Sequence, residues 1–245
     1  MSTVEFQSRE VSFSEVDAVI YAHSFTDSQQ SYGGDTEFLN MYEWLLYTLN
    51  KLKNKRVILK AHPGFFRKDY LAEVIEWDRL IFEKFVKQVA NQPNLTIIDW
   101  PMRNSELLNQ LNNDCILISH HGNALLEGAG QGFRCISSSA SSWKNYDLFN
   151  TWVTKKQYDQ MLENFHELSS TKLETLYEYV FDVYKGECSF FHEDSWRHIV
   201  EKETGIEASQ ISTNRSVLAS LSSSEINRVI SAVSFKIRTL HLSAD

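Results

Sequence analysis

Cysteine is scarce, basic residues do not predominate, no apolar run is long and no segment repeats; each shortage removes a class of protein. The three cysteines, Cys115, Cys135 and Cys188, are odd in number and lack CxxC spacing. Neither a disulfide framework nor a thiolate metal site is expected, and a reducing compartment fits. Lys and Arg total 24 against 32 Asp and Glu, a formal charge of -8. Gripping nucleic-acid backbone needs the opposite balance, so no nucleic-acid partner is expected. A small anionic ligand stays compatible, because a local group of donors overrules the global sign. Residues 1–15 are polar and acidic with no apolar signal core. No apolar run approaches the roughly 20 residues that span a bilayer, so no transmembrane segment is expected. The expected location is the cytoplasm, free or peripheral at the inner membrane face.

What is present is a globular composition, 42% hydrophobic and 13% aromatic over 245 residues. That is long enough to bury a full core. Short apolar runs alternate with amphipathic stretches through the first two thirds. Asp17 to His23, Arg56 to His62, Leu95 to Asp99, Cys115 to Ser119 and Phe133 to Ser137 read as strands. Glu37 to Lys53, Asp69 to Ala90, Ser105 to Leu111 and Asn123 to Gly130 read as the helices between them, with Ser105 a candidate cap. This alternation predicts an α/β fold, a parallel sheet flanked by helices. Tyr158 to Phe165, Thr171 to Tyr184, Asp194 to Glu203 and Glu225 to Leu242 predict a helical C-terminal tail. The expected organisation is an extension over 1–16, a ligand-binding domain over 17–150 and a helical segment over 151–245 packing on it. The serine-rich stretch Ser137 to Ser142 marks the break. Trp44, Trp77 and Trp196 fall in helical patterns and are expected in the core.

Ligands of open parallel sheets bind beyond the carboxyl ends of the strands. Four expected strands end in polar residues, His23, His62, Asp99 and Ser119. In Lys60-Ala61-His62-Pro63-Gly64 the proline keeps His62 extended and the glycine lets the chain turn away. An imidazole so held can donate to a phosphate, which would stabilise its protonated form. The same string also fits a turn in which the histidine merely packs. Ser119-His120-His121-Gly122-Asn123 leads into a helix whose free N–H groups favour an anion. Its side chains add donors, and Glu127, one turn on, could accept from ribose hydroxyls. A metal site from His62, His120 and His121 is the weaker alternative, since no carboxylate has ligand spacing. Asp27, in the loop after the first strand, could attack an anomeric carbon or take a proton from an acceptor hydroxyl. A turn or cap aspartate is the plainer role. Ser137 and Ser138 could supply hydroxyls to a phosphate or carboxylate, or simply form a linker. Asp99-Trp100-Pro101 is a candidate lining for the base or sugar.

The strings Tyr21-Ala-His-Ser-Phe-Thr-Asp27, Glu43-Trp44, Lys60-Ala-His-Pro63 and Ser119-His-His-Gly-Asn123 with Leu126-Glu127 resemble the carboxyl-terminal half of capsule and lipopolysaccharide glycosyltransferases. The nearest group is the retaining transferases of keto-deoxy-octulosonate (Kdo). The His-Pro motif is shared with bacterial sialyltransferases, polysialyltransferases and glycerophosphate polymerases. The resemblance covers roughly residues 17 to 150. It implies a Rossmann-like half of the two-domain GT-B fold holding a cytidine monophosphate (CMP) sugar, with no metal and no other cofactor. His62 would meet the donor phosphate, with His23, Lys60 and Pro63 beside it. Ser119 to Asn123 would help bind the nucleotide, and Asp27 would be the nucleophile. The acceptor would be a saccharide or glycolipid. A GT-B enzyme has two such halves, and one strand series is visible here. Either the chain is a fragment, or a separate domain or subunit binds the acceptor, or the single domain does something simpler. A non-catalytic nucleotide-sugar-binding subunit and a nucleotide-sugar epimerase or hydrolase are the alternatives.

Overall fold

Strands form where short β-branched and aliphatic runs can be buried on both faces, and five such runs supply most of the sheet. In the computed structural model, which describes residues 12–25, 37–66, 72–139, 143, 146–187 and 201–202, they are β1 (Ala18–Tyr21), β2 (Val57–Lys60), β3 (Leu95–Ile98), β4 (Ile116–Ser119) and β5 (Arg134–Ser138). A sixth strand, β6 (Asn150–Trp152), was not expected. Its three residues Asn-Thr-Trp carry no apolar run, and it exists through parallel pairing with β5. The sheet is all parallel in the order β3-β2-β1-β4-β5-β6. This is the order of Rossmann-like doubly wound sheets, in which the chain starts centrally, runs to one edge, returns and runs to the other.

The reversal distributes the helices. α1 (Met41–Lys51), α2 (Ala72–Val89), α3 (Asn104–Leu108) and α4 (Ala124–Gly130) connect the strands, and α5 (Lys155–Glu163) and α6 (Leu173–Glu187) follow β6. On one face, Trp44, Leu45 and Leu49 of α1, Phe82 and Phe85 of α2 and Tyr158 of α5 pack on Ile20, Leu59, Ile118 and Ile136. On the other, Leu107 of α3, Leu125 of α4 and Leu176 of α6 pack on Val19, Ile58, Leu117 and Cys135. Alternate strand residues thus feed two cores, the period-two rule for a sheet buried on both sides.

Several local expectations are corrected. The helix expected from Ser105 begins at Asn104, and the flanking residue is Arg103, which makes no side-chain cap bond. The helix expected from Glu37 begins at Met41. Asn40 accepts from the Glu43 N–H at 2.9 Å and the Glu43 carboxylate accepts from the Leu39 N–H at 2.8 Å. Those bonds satisfy donors the first turn would leave open. The helix expected from Tyr158 begins three residues earlier, behind a reciprocal cap between Thr154 and Gln157. Ser137 and Ser138 are not a linker but the buried end of β5. Trp44 is in the core as expected, whereas Trp77 is 64% exposed. Trp196, Glu225 to Leu242 and most of Asp194 to Glu203 lie outside the described residues.

Candidate functional site at the strand reversal

A doubly wound sheet opens a crevice where the strand order reverses, between β1 and β4, at the strands' carboxyl ends. His23 follows β1, His62 follows β2 and His121 follows β4, each just past the strand. The His23 ring lies 3.8 Å from His121 and 5.3 Å from His62, centroid to centroid. Three loops from distant parts of the chain therefore deliver three imidazoles to one place.

The His62 geometry comes from its neighbours. Pro63 opens a single 3-10 turn, Pro63–Phe66, for which its fixed φ is suited. The Gly64 N–H then donates to His62 Nδ1 at 3.1 Å. That bond needs Nδ1 unprotonated, so the ring presents Nε2–H as its donor. Gly64 is required for a steric reason also: a Cβ there would stand 2.9 Å from His62 Nδ1.

Burial holds the other histidines neutral. The His23 pKa falls to about 3, first through burial and then through His121 and His62, against a backbone hydrogen bond at Ser24. His121 falls to about 3 through burial, then His120 and His62. His120 falls to about 4 through burial and then His23. His120 and His121 share an Nδ1···Nδ1 hydrogen bond of 2.9 Å, in which one ring donates and the other accepts. His120 itself turns toward the α1 face, edge-on to Trp44 and Trp152 at 5.7 and 5.6 Å. The Glu43-Trp44 string is thereby tied to the histidine loop.

Below the histidines, Lys60, Tyr21, Ser119 and Ser137 are register partners across β2, β1, β4 and β5, a polar row on one face. Ser119 Oγ donates to the His121 carbonyl at 2.8 Å, closing the turn that Gly122 permits at φ 139°. Ser137 Oγ donates to the His120 carbonyl at 3.2 Å and accepts from Trp143 Nε1 at 2.9 Å. Both hydroxyls brace the loop. Ser138 is fully buried, and its N–H donates to the His120 carbonyl at 3.0 Å. Asn123 precedes α4 without capping it, and α4 is only seven residues long. Glu127 accepts from Asn104 Nδ2 at 3.0 Å.

Asp27 lies outside the described residues; the described part of its loop ends at Phe25. Asp99 and Trp100 follow the edge strand β3, and Trp100 is exposed with no ring contact among the described residues. Among the described residues no group of three or more His, Cys, Asp or Glu side chains is arranged to hold a metal ion. No helix among them is long and apolar enough to cross a membrane.

Sequence reasoning missed Asp78. This α2 carboxylate is 4% exposed and accepts from the Ser24 hydroxyl. Ser24 lies between His23 and Phe25, whose ring stacks on Phe65 at 6.2 Å. Asp78 thus ties the β1 exit loop to α2, while Phe65 ties in the β2 exit. The available signal was an acid on the buried stripe of Phe82, Phe85, Val86 and Val89, where burial demands a partner. Asn104 was also missed, because an amide at a helix start carries no motif, whereas Tyr21 was read only as part of the first strand and its motif. Comparison with protein-family models, curated proteins and solved structures finds no match to this chain.

Proposed function

We propose that this domain binds the nucleotide part of an activated sugar, a CMP-linked acidic sugar of the Kdo type, and acts as the donor-binding half of a retaining glycosyltransferase. The observation that carries the proposal is the meeting of His23, His62 and His121 at the strand reversal. Parallel sheets hold nucleotides there, and the same residues carry the family resemblance.

In this reading the His62 Nε2–H donates to the donor phosphate. The phosphate is already a good leaving group, so departure needs no metal. Asp27 attacks the anomeric carbon, the carbon–oxygen bond to phosphate breaks and CMP leaves with the electron pair. An acceptor hydroxyl then attacks the same carbon, the bond to Asp27 breaks to return its carboxylate, and the hydroxyl proton passes to solvent, so two inversions retain the configuration. A separate acceptor-binding domain or subunit completes the cleft.

The test is thermal unfolding with CMP at millimolar concentration, for the wild type and for His62→Ala. A ligand that binds only the folded chain at 100 times its Kd stabilises it by about 2.7 kcal/mol. A rise in Tm with CMP that His62→Ala abolishes is the expected result. Absence of any shift with CMP or other nucleotides contradicts the proposal.

A further inference from the structure

Lys60 is the cation among the described residues that build this site, and no described side chain pairs with it. The residue is 5% exposed, and its side-chain amine makes no hydrogen bond or ion pair with any described residue. Its amine is lowered in pKa by burial, with Glu127 acting in the opposite direction. Burying an unpaired ammonium is expensive, and an internal counter-ion is the usual remedy. Glu127 is near enough for its charge to reach Lys60 but does not pair with it. Instead Asn104 holds it: Asn104 Nδ2 donates to Glu127 Oε2 at 3.0 Å and to the Ala124 carbonyl at 3.3 Å. Two acceptors on one nitrogen fix the amide's orientation.

We propose that Lys60 is an anion subsite for an oxyanion of the ligand, and that Asn104 is a positioning residue that keeps Glu127 from occupying it. The inference rests on the nucleotide-sugar reading for the ligand's identity, but not for the presence of the subsite. Lys60, Tyr21 and Ser119 are register partners directly beneath the histidine layer. Burial holds His23 and His121 above it neutral, so charge recognition falls to Lys60. The oxyanion comes from the donor's phosphate or from a carboxylate on its sugar.

The experiment compares the wild type, Lys60→Met, Asn104→Ala and Asn104→Ala/Glu127→Gln by calorimetry with cytidine, CMP and CMP-N-acetylneuraminate. Lys60→Met keeps the stem's volume and removes a buried charge, so the fold should be retained. Loss of roughly tenfold or more in CMP affinity, with cytidine unchanged, supports the subsite with phosphate as its occupant. A loss confined to CMP-N-acetylneuraminate supports it with carboxylate as the occupant. Asn104→Ala should weaken the same ligand by removing the bond that draws Glu127 away from Lys60, and Glu127→Gln in that background should restore it. Equal affinities in wild type and Lys60→Met, or no restoration in the double variant, overturns the inference. Thermal shifts with inorganic phosphate and pyruvate separate the two claims. If nucleotides fail but either anion stabilises wild type more than Lys60→Met, the subsite stands and the nucleotide reading falls. If neither anion distinguishes the two proteins and no nucleotide binds, both fall.

Discussion

Lowering the pH from 7 to 5 should destabilise the fold through His23, His120 and His121, whose pKa values are pushed down to about 3, about 4 and about 3, chiefly by burial. In the unfolded chain a histidine titrates near 6.5. Below that pH the unfolded state binds protons that the buried rings refuse. The contribution is therefore fully present above about 6.5 and is lost as pH falls toward the folded values. Each ring loses about 1.4 kcal/mol per pH unit inside this window, or about 2 kcal/mol between pH 7 and 5. Three rings together lose roughly 6 kcal/mol, comparable with the whole stability of many domains. Urea unfolding at a series of pH values measures the slope directly. His121→Asn removes one titrating ring while leaving a hydrogen-bonding group opposite His120 Nδ1, and should reduce the acid loss by about 2 kcal/mol. Stability that stays level from pH 7 to 5, or an unchanged slope in His121→Asn, would mean that these rings take up protons in the folded protein as readily as in the unfolded chain.

Two substitutions of glycine by alanine should act in different ways. Gly64→Ala places a methyl 2.9 Å from His62 Nδ1, so the imidazole must swing away; CMP affinity should fall while the circular dichroism spectrum is unchanged. Gly128→Ala meets Leu117 Cδ1 at 2.0 Å, where α4 packs on β4, and overpacking should cost about 1–3 kcal/mol by urea unfolding. If Gly128→Ala is neutral, the tight contact between that helix and the sheet is wrong.

The parts of this structure that were legible in the sequence are those where one local signal suffices. β4 is visible because Ile116, Leu117 and Ile118 form an uninterrupted apolar run, and α2 because Phe82, Phe85, Val86 and Val89 keep a helical period. β6 was not visible: Asn150, Thr151 and Trp152 become a strand only because β5 offers an edge. Trp77 was misplaced because an aromatic in a helix does not announce which side it faces. The candidate site divides in the same way. His23, His62 and His121 could be placed at strand ends, but their convergence depends on the β1–β4 adjacency, a long-range pairing. Ser119 and Ser137 looked like ligand donors, yet their hydroxyls serve backbone carbonyls. Gly64 suggested a turn, and its missing Cβ matters as much for the ring that folds against it.

In the proposed function a nucleotide sits at the strand reversal, with its phosphate against His62. A crystal of the protein soaked with CMP tests this most directly. Phosphate density within hydrogen-bonding distance of His62 Nε2, over the β1–β4 crevice and beside Gly122, is the expected result. CMP bound elsewhere on the protein, or a metal ion held by His23, His62 and His121 in its place, contradicts it.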